Sequence, residues 1–209
     1  MKKIAIIVAA LSAALSLSAQ TPNEIIERMD KAMDQPSDVG TVFDFVMDIP
    51  IIGKASTKVY MLGDKSKMEL SYMGETGETW MDGNTSWTYN KKDNQIVIKE
   101  LDVTKDDAAQ DGLAAFDGIT EGYDVTLEKE TDQAWYFLCK KSRKNKDKDA
   151  PKKMNLAVDK NTCLPLYLKM KEKGVGVSVE NVKFGFDPSI VEFSMDKFPG
   201  ATVKDERKK

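Results

Sequence analysis

The chain has no histidine in its 209 residues. That absence excludes a His-based catalytic triad, a His general base and any His-containing metal site. Cysteine is nearly absent too, with Cys139 and Cys163 as the only two. No phosphate-cradling loop is present, because Gly174-Val175-Gly176 stands in a strand context with no helix after it. Long apolar runs are confined to the N-terminus, where Lys2 and Lys3 precede an apolar stretch from Ile4 to Leu15 and the small residues Ser16-Leu17-Ser18-Ala19 follow. The run is shorter than the ~20 apolar residues of a spanning helix, and its layout is that of a secretory signal peptide cleaved after Ala19. Residues 1–19 are therefore expected to be a signal peptide and residues 20–209 a single domain. No Cys follows the apolar run, so no lipid anchor is expected at the mature N-terminus, and the expected compartment is the periplasm. Basic charge is in deficit: without Lys2 and Lys3, the 31 basic residues fall to 29 against 34 acidic, a net charge of −5. This balance argues against a nucleic-acid partner.

At 41% hydrophobic and 31% charged, the rest of the chain can bury a core. Thr21-Pro22-Asn23-Glu24 reads as a helix start, with Thr21 as N-cap and Glu24 closing a capping box, and the helix is expected to run to about Asp34. Ile25, Ile26, Met29 and Met33 form its apolar stripe. From Thr41 the period becomes two. Phe43, Phe45, Met47 and Ile49 share a face; later strands present Thr57, Val59 and Met61, then Met68, Leu70 and Tyr72, then Trp80, and finally Ile96 and Ile98. The Ile51-Ile52 tip between the first two strands is apolar, and the simple expectation is that it folds back onto the sheet. At the centre stands Asp82 to Asn90, DGNTSWTYN, where Asp82-Gly83 turns the chain and Trp87 and Tyr89 fall on one face, expected to look into the sheet's interior. Short strands with turn signals every eight to twelve residues indicate an antiparallel meander.

Between residues 102 and 119 the alternation stops, and Leu113, Phe116 and Ile119 supply a helical apolar surface weakened by Gly112. The meander then resumes to a last piece expected near Glu192 to Met195. Ser142 to Lys152, SRKNKDKDAPK, is expected to be a solvated hairpin tip. Cys139 and Cys163 fall on second-neighbour strands, nearly 10 Å apart at roughly 4.8 Å per strand, so two free thiols are expected. Carboxylates are plentiful but sit on the polar faces of alternating strands, where solvation is their expected role. Binding is the better class than catalysis, and the Met-rich, aromatic interior suits varied apolar ligands.

These residues bring a family to view. The N-terminal helix after a signal peptide, the DGNTSWTYN stretch after paired strands, the helical interruption and the ending Phe198-Pro199-Gly200-Ala201-Thr202-Val203-Lys204-Asp205 resemble the LolA-type periplasmic lipoprotein carriers. The resemblance implies an α+β fold, an incomplete and strongly curved antiparallel β-barrel of about ten to eleven strands, with an N-terminal helix and a mid-chain helical lid over an apolar cavity. It implies inward positions at Leu70, Trp87 and Tyr89 and lid positions at Ile25, Met29, Leu113 and Phe116. Together with the alternation, the expected cavity lining is Phe43, Phe45, Met47, Met61, Met68, Leu70, Tyr72, Trp80, Trp87, Tyr89, Ile96 and Ile98. Implied partners are lipoprotein acyl chains or another lipid, an inner-membrane release complex and an outer-membrane acceptor; a monomer without cofactor or metal is expected. Carriers of this type have an Arg near the turn Gly63-Asp64-Lys65, where this chain has Lys65, which lacks the planar fork of a guanidinium. A lipid-sensing or structural envelope protein of the same fold is the alternative, and a hydrolase a distant third.

Overall fold

A computed structural model describes residues 20–36, 38–101, 118–172 and 174–207. Residues 1–19, expected to be a signal peptide, and Leu113 and Phe116, expected to be lid positions, lie outside the described residues.

The first element among the described residues is α1, Pro22–Met33. Its start has the predicted chemistry: the Glu24 backbone N–H donates to Thr21 Oγ1 at 3.3 Å, and the Thr21 N–H donates to Glu24 Oε2 at 2.8 Å. Two of the N–H groups that a helix start leaves without a backbone partner are thereby satisfied. Pro22 occupies the first turn, where its missing N–H costs nothing. The apolar stripe is the buried one: Ile25 and Met29 are 0% exposed and Ile26 6%. Fully burying each such side chain contributes about 1.5–3 kcal/mol.

Twelve strands follow among the described residues: β1 Thr41–Ile49, β2 Gly53–Leu62, β3 Lys65–Tyr72, β4 Glu75–Met81, β5 Thr85–Asn90, β6 Gln95–Glu100, β7 Tyr123–Glu130, β8 Ala134–Lys141, β9 Lys153–Asp159, β10 Pro165–Glu172, β11 Val175–Phe184 and β12 Thr202–Asp205. They form one sheet in the order β12-β6-β5-β4-β3-β2-β1-β11-β10-β9-β8-β7. All neighbours are antiparallel except β12, which runs parallel to β6. The sheet is curved and unclosed among the described residues, as in an open barrel. It consists of two meanders, β1–β6 and β7–β11, joined where β1 pairs with β11.

Two expectations are corrected here. The last strand is Thr202–Asp205, whereas residues 192–194 lie between two 3-10 turns, Pro188–Val191 and Met195–Lys197, and Met195 opens the second. The Ile51-Ile52 tip does not fold back: Ile51 is fully exposed and Ile52 is 52% exposed. A hairpin loop this short, closed by the Ile52 N–H to Ile49 carbonyl bond at 3.2 Å, has no slack to turn onto the sheet. The thiols match expectation, since Cys139 and Cys163 are both free and buried.

The helix-bearing face holds the main core. Ile25, Ile26 and Met29 cluster with Phe137, Cys139, Met154, Leu156, Leu168, Val179, Phe43 and Val59. Arg28 adds its guanidinium over the Trp135 ring at 5.9 Å. Most of this cluster comes from β8–β11, so α1 serves the β7–β11 half of the sheet.

Candidate functional site: an apolar half-face beside the helix

Strand register decides which predicted residues meet. Phe43 is opposite Val59 and Val59 opposite Met68; Phe45 is opposite Thr57 and Thr57 opposite Leu70; Met47 is opposite Ala55 and Ala55 opposite Tyr72. Met61 joins them two places along β2 from Val59. Phe43, Phe45, Met47, Met61, Met68, Leu70 and Tyr72 therefore share the helix-bearing face, on β1–β3. Phe43 is buried, and Phe45, Met61 and Met68 are partly buried against the core cluster. Farther from α1, Leu70 is 46% exposed. Met170 and Val177 extend the surface across β10 and β11, in register with Met47. Among the described residues no helix lies over this half of the face.

The other five predicted lining residues point the opposite way, a correction with a geometric cause. The β3–β4 turn has two residues, Met73 (φ 49°) and Gly74 (φ 83°), so Tyr72 pairs directly with Glu75. Two consecutive positive-φ residues are the signature of a type I′ hairpin. Counting from Glu75, it is Gly77, Thr79 and Met81 that share the face of Tyr72, and Trp80 takes the reverse face, opposite Lys67. Trp87 then pairs with Trp80, Ile98 with Trp87 and Ile96 with Tyr89, which carries all five to that reverse face.

They are covered there by the C-terminal segment. Gly40, at φ 72°, leaves room for Phe186, whose Cε1 would stand 2.7 Å from a Cβ at that position. Phe186 meets Tyr60 edge-on at 5.4 Å. The Trp80 indole N–H donates to the Ile190 carbonyl at 3.1 Å. Phe193 stacks on Trp87 at 5.1 Å, and Phe198 meets Trp80 at 5.6 Å and Tyr89 at 4.4 Å. Asn94 then donates to the Gly200 carbonyl at 3.1 Å, and β12 lines up beside β6. The segment is a strap across β2 to β6, and the two short motifs behind the family resemblance are the two sides of this one contact. Lys65 pairs with Glu192 of the strap at 3.3 Å.

Lys67 lies beneath Trp80, its Nζ 4.8 Å from the ring, and bonds Glu69 and Glu78 at 2.7 Å each. Burial pulls its pKa down, but the two carboxylates outweigh that and leave it raised. An open depression of about 460 Å³ on this reverse face is lined in part by Asp44, Lys58, Glu69 and Glu78, four charged side chains that an acyl chain would have to desolvate. Burial pushes the Cys139 thiol up to about 11, so it is neutral and inert near pH 7. Among the described residues no group of three His, Cys, Asp or Glu side chains is placed to hold a metal ion.

An open, curved antiparallel sheet carrying an N-terminal helix on one face is the architecture that the LolA-type resemblance implies. Of solved structures, the Mycobacterium tuberculosis lipoprotein LppX is similar with a TM-score of 0.50 at 11% identity, over 80% of this chain and 98% of that one. That likeness concerns the fold alone. An uncharacterized conserved protein from Thermus thermophilus aligns over 90% of this chain and 100% of its own, at 18% identity and a TM-score of 0.46. A LolA superfamily protein from Nitrosomonas europaea aligns over 84% and 99%, at 14% identity and a TM-score of 0.34. No family profile and no curated protein matches the chain.

Proposed function

We propose that the protein is a non-enzymatic carrier that shelters the acyl chains of a lipoprotein or another lipid on the β1–β3 half of its helix-bearing face. In this reading residues 1–19 are removed on export, and the mature protein moves its cargo through the periplasm between an inner-membrane release complex and an outer-membrane acceptor. The observation that carries the proposal is the contiguity of Phe45, Met47, Met61, Met68, Leu70 and Tyr72, which leave the core half-covered. Flexible thioethers in such a surface repack around varied apolar shapes. Each CH₂ sheltered from water is worth about 0.8 kcal/mol, so even a part of an acyl chain finds substantial binding energy here.

The test uses a fluorescent fatty-acid probe. Met68→Ser and Leu70→Ser should each weaken probe binding about tenfold, since a side chain of this size contributes about 1.5–3 kcal/mol when fully covered. Trp87→Ser, on the reverse face, should lower stability and leave probe affinity unchanged. Loss of probe binding in Trp87→Ser alone would overturn the assignment of the face. Purified protein from which no lipid can be extracted, and which binds no probe, would favour a structural envelope protein over a carrier.

A further inference from the structure

One end of the sheet is unlike the other. A single register row runs Glu75, Tyr72, Ala55, Met47, Val177, Met170, Met154, Cys139 and Val125, from β4 through β7. Just beyond this row, at the same end of the strands, stand the β1–β2 tip, the β3–β4 turn and the β8–β9 hairpin. The first two are apolar where solvent is expected: Ile51 is 107% exposed, Ile52 52% and Met73 75%. Ile51 is also held at φ 72°, a left-handed conformation that a β-branched side chain resists. Neither hydration nor backbone preference places isoleucine at that position. The third hairpin is strongly basic. Of residues 140–153, eight are Lys or Arg and two are Asp, a local net charge of +6 in a chain of net −3. Arg143, Lys144, Lys146 and Lys148 are exposed. Lys146 donates to the Arg143 carbonyl and Lys141 to the Asp147 carbonyl, so neither charge is cancelled by those contacts. By contrast, the turns at the other end carry Asp64, Asp82 and Asp132.

We infer that this end of the sheet docks the protein peripherally on an anionic lipid bilayer, with Ile51, Ile52 and Met73 entering the interface and the 140–153 hairpin held to the headgroups. The hairpin and the Ile tip are four strand spacings apart, about 20 Å at ~4.8 Å each, so both can reach one flat surface. The pairing of apolar insertion with basic attraction is the chemistry of interfacial anchoring, and charge complementarity selects an anionic surface over a neutral one. The docking does not depend on the carrier reading, because its residues lie outside the β1–β3 half-face.

Co-sedimentation of the whole protein with vesicles tests it, using phosphatidylcholine containing phosphatidylglycerol against phosphatidylcholine alone. The protein should sediment with the anionic vesicles, weakly with the neutral ones, and less as salt rises. Arg143→Gln with Lys144→Gln should weaken partitioning roughly 10- to 30-fold. Ile51→Ser with Ile52→Ser should weaken it about tenfold or more. If the thermal midpoint of the Ile variant shifts, Met73→Ser gives the same reading from a separate hairpin. Leu70→Ser should sediment as the parent does while losing probe binding, which separates this inference from the carrier assignment. No sedimentation with anionic vesicles, equal binding to neutral ones, or full binding by both the Ile and Arg143/Lys144 variants would overturn it.

Discussion

Lys67 shows how a single side chain can carry a pH dependence. Its folded pKa is raised above 10.5 because Glu69 and Glu78 outweigh the burial that opposes them. A raised folded value contributes stability that is complete below the unfolded pKa and is lost as pH rises through the folded one. Lys67→Met should therefore be less stable than the parent at pH 7, and the gap should narrow in denaturant unfolding once the pH passes about 10.5. A gap constant with pH would mean that the lysine acts only by filling space under Trp80. The cysteines give a second residue-scale outcome. Denatured but unreduced protein should react with two equivalents of a thiol reagent, whereas the native protein should react slowly at Cys139, which is buried and neutral.

Elements were legible in the sequence to the extent that local chemistry determines them. The capping box fixed the start of α1, and strict alternation revealed β1 to β3 and the faces of their own residues. What alternation leaves open is phase between strands, which depends on whether a turn has two residues or three. The Met73-Gly74 hairpin sets that phase, and so sends Trp80, Trp87, Tyr89, Ile96 and Ile98 to the strap. A Met-Gly dipeptide between two strands was the available signal, though a weak one beside Asn-Gly or Asp-Gly. β12 escaped because four exposed residues carry no apolar period, and its partner is supplied by tertiary contact. The strap makes its own prediction: Phe198→Ala should cost about 3 kcal/mol in unfolding free energy, through lost burial and ring contacts, without weakening acyl-probe binding. Unfolding unchanged by that substitution would remove the strap from the account of stability.

On the scale of the molecule, two covers divide the work. α1 closes the helix-bearing face over β7–β11, the strap closes the reverse face over β2–β6, and the remaining apolar half-face is the one assigned to the ligand. This arrangement joins distant parts of the chain: Thr41 of β1 pairs with Phe184 of β11, about three-quarters of the described span apart. The first six strands can form a meander soon after they are made, but one edge of β1 has no partner until β11 exists. For that interval the chain presents unpaired backbone groups beside Phe43 and Phe45, a template for pairing with another molecule. Closing so long a loop before any contact rewards it also places folding among the slow, high-contact-order cases, on the order of milliseconds to seconds. The seam that makes one sheet of two meanders is thus the step at which this protein is most open to aggregation and has most to gain from a folding chaperone.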